Sequence, residues 1–113
     1  MGTTRGGITL DVNNVWRYHL MIRSFKDDDT RRLFERSPVR RFGNDVQRAA
    51  FRKLRMLNAA VSLADLRIPP GNRLERLRGN RTGQYSIRIN NRWRICFRWE
   101  SGEVRNVEIV DYH

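Results

Sequence analysis

The chain is 113 residues long, with 23 Lys or Arg against 12 Asp or Glu and a formal net charge of +11. A core of this size buries roughly two-thirds of the surface its unfolded chain exposes, which excludes a multidomain enzyme. A hydrophobic fraction of 39% also excludes a wholly disordered chain, despite 31% charged residues. Every basic residue except Lys26 and Lys53 is arginine. The positive groups are therefore planar forks suited to bidentate phosphate contact, and a polyanion is the natural partner. Cys96 stands alone and can form no disulfide within the chain. No run approaches the ~18 apolar residues of a membrane span, and residues 1–20 lack a secretory apolar segment. A cytoplasmic location with no membrane partner is expected.

Residues 1–20 read as an N-terminal extension without a helical period, ahead of a domain spanning 21–113. Ile8, Leu10 and Val12 alternate there, so the segment either adds to a sheet edge or trails in solvent. Residues 21–25 predict a strand. Asp27, Asp28, Asp29 and Thr30 then supply capping oxygens and favourable charge for a short helix that holds Leu33 and Phe34 and ends before Pro38. Residues 36–41 form a basic loop. From Asn44 or Asp45 to Ala60 the pattern is the most helical in the chain. Val46, Ala49, Ala50, Leu54, Leu57 and Val61 make the packing face, and Arg48, Arg52 and Arg55 lie on the other side. Ser62 caps a single turn through Leu66, and Pro69-Pro70-Gly71-Asn72 forces an irregular loop.

Beyond that loop the period changes to two. Tyr85, Ile87 and Ile89 alternate with polar residues, and after Asn90-Asn91 so do Trp93, Ile95, Phe97 and Trp99. Ser101-Gly102 supplies a further turn into a strand over 104–110 with Val107 and Ile109 facing the core. The fold class is α+β, an N-terminal strand and two helices packed on an antiparallel β-sheet.

Strand parity places Arg88, Arg94 and Arg98 on the sheet face opposite the helices. Such a face either keeps a sheet soluble or contacts a nucleic-acid backbone, and parity alone does not choose. The preceding cluster of Arg73, Arg76, Arg78 and Arg81 favours contact, because a strand face and a loop together form a groove suited to RNA. The C-terminal Asp111-Tyr112-His113 sets a carboxylate, a phenol and an imidazole within a few bonds. Such a tail suits acid-base chemistry, although a terminal histidine is as readily a frayed end. His19 lies in the extension, and one cysteine with scattered acids makes no metal-ligand set. The glycines form no phosphate-binding loop, and no serine stands in a nucleophile elbow. Neither a metal nor an organic cofactor is expected.

MIRSF from Met21, PPGNRLERLRGNRTGQYSIRINNRWRICF from Pro69 and VEIVDYH at the C-terminus together resemble the HigB family of RelE-type toxins. The resemblance covers residues 21–113. It implies a RelE-like fold and a metal-independent, ribosome-dependent endoribonuclease that cuts mRNA in the ribosomal A site and so inhibits translation. Partners implied are the ribosome, mRNA and a HigA-like helix-turn-helix antitoxin, with promoter DNA reached only through the antitoxin. In such a reaction the 2′-hydroxyl attacks phosphorus, which needs a base, cations around the phosphorane and an acid for the leaving oxygen. By resemblance, His113 transfers a proton, Tyr112 stacks on a base or transfers a proton, and Asp111 orients a partner group. Arg94 joins them in the catalytic set, with Arg73 and Arg78 on phosphate; Arg76, Arg81, Arg88 and Arg98 complete the RNA-binding set. One departure is Glu75, which stands where some HigB-type toxins carry histidine. It either serves as the base or neutralises Arg76 or Arg78, the latter being preferred. A noncatalytic RelE-fold module that binds RNA or antitoxin is the alternative function.

Overall fold

The computed structural model describes residues 21–112 and, ahead of them, the backbone of two short strands, β1 (Ile8–Leu10) and β2 (Trp16–Tyr18). Next in chain order come helices α1 (Asp28–Phe34) and α2 (Asn44–Ala59) and strands β3 (Glu75–Arg76), β4 (Gln84–Arg88), β5 (Trp93–Glu100) and β6 (Glu103–Asp111). The strands β3-β4-β5-β6 form one antiparallel sheet in that order, and the two helices pack on it. β1 and β2 pair only with each other, Leu10 opposite Trp16, so the described part of the extension adds no strand to the main sheet. Val12 and His19 lie outside the described residues.

Residues 21–25 run parallel to β6, but as two separate bridges, Ile22 with Val104 and Phe25 with Val107, instead of the continuous strand expected. The cause sits between them. Asn106 takes a left-handed φ of 55° and donates its N–H to Ser24 Oγ at 2.9 Å, which interrupts the ladder. Asn58 on α2 fastens the same segment from the other side, its Oδ1 accepting from the N–H groups of Met21 and Ile22 at 2.8 and 3.0 Å.

Helix α1 starts where the acidic cluster predicts. Asp27 caps it by accepting from Thr30 N at 3.0 Å, while the buried Thr30 hydroxyl accepts from Ile109 N on β6 at 3.1 Å. Along α2, Ala50, Leu54 and Leu57 are fully buried against the sheet with Ile87, Ile95 and Phe97, and each large apolar side chain removed from water contributes roughly 1.5–3 kcal/mol. Val61, expected on this face, is instead 78% exposed, because the helix ends at Ala59 and Ala60 turns extended at ψ 131°. A single 3-10 turn, Leu63–Arg67, follows behind a capping box in which Asp65 accepts from the N–H groups of Val61 and Ser62 at 2.9 and 3.1 Å.

Those backbone donors hold the Asp65 carboxyl below its ordinary value. A depressed folded-state pKa contributes stability that is complete above the unfolded value of about 3.9 and is lost as pH falls through the folded one. Asp65→Asn imitates the protonated acid. It should therefore lower Tm at pH 7, with the gap to the parent narrowing as the pH falls below about 3.9, as followed by circular dichroism.

The β4–β5 turn is shaped by Asn90, whose Oδ1 accepts from Arg92 N and Trp93 N at 2.9 and 2.8 Å. The β5–β6 turn places Ser101 and Gly102 at φ 52° and 77°, the two left-handed residues of a tight hairpin between Glu100 and Glu103. Pairing sets Glu75 opposite Ser86, Arg88 opposite Arg94, and Trp93 opposite Asp111, bringing the loop before β3 and the C-terminal tail to one end of the sheet.

Candidate active site

The expected open cationic sheet face is corrected in one respect. Arg94 alternates as foreseen, yet it is 5% exposed, and its neighbours Ser86 and Cys96 are fully buried. Side chains and backbone from the preceding segment occupy that face. The Arg73 carbonyl accepts from Arg94 Nη2 at 2.6 Å, and Arg81 reaches Glu108, the cross-strand partner of Cys96, at 2.9 Å. Burial in turn pushes the Cys96 thiol up from its ordinary value.

Arg94 is held as a rigid fork. Its Nε donates to Ser86 Oγ at 2.8 Å, and Nη2 also reaches the Ser86 carbonyl at 3.3 Å. Glu75 approaches the same Nη2 at 3.7 Å, the Tyr112 hydroxyl lies 3.5 Å from Glu75 Oε1, and the Arg94 guanidinium sits 5.2 Å from the Tyr112 ring centroid. Around this trio opens a cleft of about 330 Å³, to which Arg73, Arg88, Asn90 and Asn91 also contribute. Arg73 enters it from a left-handed residue at φ 46°, and Arg88 donates to Asn91 Oδ1. The lining thus sets three guanidiniums against the single carboxylate of Glu75, an arrangement fitted to a phosphodiester.

Glu75 does not neutralise Arg76 or Arg78. Successive residues of β3 face opposite ways, so Glu75 meets Arg94 while Arg76 lies over the Tyr85 ring at 5.9 Å. The structure therefore brings together Arg73, Glu75, Arg88, Arg94 and Tyr112, with Asp111 one residue away. The remaining predicted RNA contacts stand outside this cleft. Arg78 is exposed ahead of the turn Gly79–Arg81, Arg81 is paired with Glu108 and Gln84, and the Arg98 guanidinium packs over Gly83. His113 lies outside the described residues.

Residues 23–113 match the family described as the RelE-like toxin of the type II toxin-antitoxin system HigB. The chain is 44% identical over 82 residues to Toxin HigB-1 of Vibrio cholerae, an alignment covering 73% of this chain and 78% of that one. It is 33% identical over 98 residues to Endoribonuclease HigB of Proteus vulgaris, covering 82% and 100% of the two chains. The chain belongs to the HigB family. As a HigB toxin of a type II system it has a cognate antitoxin for partner. Among the described residues, no helix is long and apolar enough to cross a membrane.

Two supporting residues of this HigB site stand inside the quoted motifs without a role that motif reading assigns. Ser86 orients Arg94, and Arg92 holds the tail. Arg92 Nε and Nη2 donate to Asp111 Oδ2 at 3.0 and 2.9 Å, while the Arg92 carbonyl accepts from Tyr112 N at 2.6 Å. The hydrogen bond to Asp111 raises the Arg92 guanidinium above its ordinary value. Hairpin register was the signal available, since pairing of β5 with β6 sets Arg92 beside the tail. An exposed ion pair adds little to folding. Arg92→Ala should accordingly leave Tm nearly unchanged and lower cleavage about tenfold by loosening the tail, as read by single-turnover assays.

Proposed function

We propose that this HigB toxin is a metal-independent endoribonuclease that cuts mRNA in the A site of the translating ribosome, and so works in the cytoplasm. The domain comprises residues 21–113, with 1–20 an extension to it. The observation that carries this reading is the meeting of Arg94, Glu75 and Tyr112 in a cleft flanked by Arg73 and Arg88. Its relative from Proteus vulgaris bears the name Endoribonuclease HigB.

In this mechanism the ribose 2′-oxygen attacks the adjacent phosphorus, and the bond from phosphorus to the 5′-oxygen breaks, leaving a 2′,3′-cyclic phosphate. Glu75 takes the 2′-hydroxyl proton. His113 returns a proton to the departing 5′-oxygen. Arg94 stabilises the charge that builds on the phosphorane, Arg73 and Arg88 hold flanking phosphates, and Tyr112 stacks against a base. Asp111, held by Arg92, orients the tail. The guanidiniums supply the positive charge that the transition state needs. The shallow cleft grips few nucleotides, so the ribosome presents the message and sets the cut. Inhibition falls to a HigA-like helix-turn-helix antitoxin, which also makes the contact with promoter DNA.

Primer extension on translated mRNA tests the reading. Cuts should fall within A-site codons, with naked RNA cleaved at least roughly a hundredfold more slowly. His113→Ala and Glu75→Gln should each slow the ribosomal reaction by about 10²–10⁴-fold. Equal cutting of naked RNA would remove the dependence on the ribosome. Growth arrest without any cut would favour a noncatalytic module that blocks the ribosome.

A further inference from the structure

A second concave site lies away from the cleft, between α1 and α2. This groove, of about 480 Å³, is lined by Leu33, Arg36, Pro38, Arg48 and Phe51 among others, and shares no residue with the cleft lining. Its floor is apolar and its rim cationic. Phe51 is half-buried, with the Arg36 and Arg55 guanidiniums 4.6 and 5.7 Å from its ring centroid. Arg48, Phe51 and Arg55 follow at helical spacing and share one stripe of α2.

The charge around the groove is unbalanced. Arg31, Arg41 and Arg48 are each paired with an aspartate, whereas Arg32, Arg36, Arg52 and Arg55 meet no carboxylate within ion-pair distance among the described residues. Arg36 also holds a left-handed φ of 66° just past α1, a conformation that glycine adopts far more readily than a residue bearing a side chain. That backbone delivers its guanidinium to Phe51 at the groove. An aromatic floor ringed by arginines has the anatomy of an interface hot spot.

We infer that this groove is the seat of an acidic, amphipathic segment of the cognate antitoxin. An apolar side chain of that segment packs on Phe51, and its carboxylates pair with Arg36 and Arg55. RNA fits less well, because a phosphate backbone offers nothing apolar for the floor, and two guanidiniums already lie against the one aromatic ring available for stacking. The inference rests on membership in a type II family and is independent of the cleavage chemistry proposed above.

The test is calorimetric titration of the full chain with the antitoxin encoded in its operon. The double variant Arg36→Glu, Arg55→Glu should weaken binding at least a hundredfold while its Tm and its ribosomal cleavage without antitoxin stay as in the parent, both side chains being exposed. Phe51→Leu, which keeps an apolar group, should weaken binding about tenfold. Affinity of the double variant within threefold of the parent overturns the inference. So does unchanged antitoxin affinity with lost co-sedimentation on ribosomes, which would make the groove an RNA surface. Loss of antitoxin binding in a protein whose parent cuts no mRNA would sink the proposed activity and leave this inference standing.

Discussion

Replacing Arg94 with alanine should lower the single-turnover rate of ribosomal mRNA cleavage by roughly 10²–10³-fold, the effect of deleting one preorganised charge donor from a transition state. The size follows from the way Arg94 is held. Three hydrogen bonds, to Ser86 Oγ, the Ser86 carbonyl and the Arg73 carbonyl, fix Nε and Nη2 before any substrate arrives. No described residue accepts from Nη1, so in the proposed mechanism this group is the one that meets a phosphorane oxygen. Its electrostatic effect is strengthened by 95% burial, since little water competes. Arg94→Lys separates charge from shape. It keeps the cation but loses the planar fork, and should recover only part of the rate. The alanine variant also leaves buried acceptors unpaired, so Tm must be recorded beside the rate. A folded Arg94→Ala protein cutting within fivefold of the parent would remove this residue from the chemistry.

Asn72→Ala should cost about 2–3 kcal/mol of stability, and at roughly 4–8 °C per kcal/mol for a domain of this size the loss is plain in a melting curve. Asn72 is fully buried. Its Nδ2 reaches the carbonyls of Leu66 and Ile68 at 3.1 and 3.4 Å and Met56 Sδ at 3.2 Å, and its Oδ1 accepts from Lys53 on α2. Truncation strands two carbonyls and a lysine whose pKa burial and the nearby Arg52 and Arg88 already lower. Cleavage should fall as well, because the next residue is Arg73, whose carbonyl receives Arg94 and whose backbone leads to Glu75. A double-mutant cycle with Lys53→Met checks the pairing: coupling below about 0.5 kcal/mol would show that Lys53 and Asn72 act separately.

Much of the scaffold was legible because its signals are local. The 3.6-residue period of Ala50, Leu54 and Leu57 marks α2, the alternation of Ile87, Ile95 and Phe97 marks the hairpin, and the Asp27 cap and the Ser101-Gly102 turn stand in the residue types themselves. The motif from Leu77 to Ile87 and the Asp111-Tyr112-His113 tail carried the family. The failures have an equally plain cause. Parity told which way Arg94 points but not that the Arg73 carbonyl and Ser86 would enclose it. Proximity in sequence points Glu75 to Arg76 and Arg78, whereas strand alternation turns it to Arg94, nineteen positions away. Residues 21–25 read as strand-forming, and a left-handed Asn106 in the distant β6 breaks their ladder.

By itself, the order of residues determined the strongly positive charge, through an excess of guanidiniums, and the α+β layout, through two hydrophobic periods that each span a few neighbouring positions. Only the folded chain decided which arginines serve a cleft and which serve the scaffold. Arg94 enters the site while Arg81 is spent on Glu108, because burial and hydrogen-bond partners come from segments that meet only after folding.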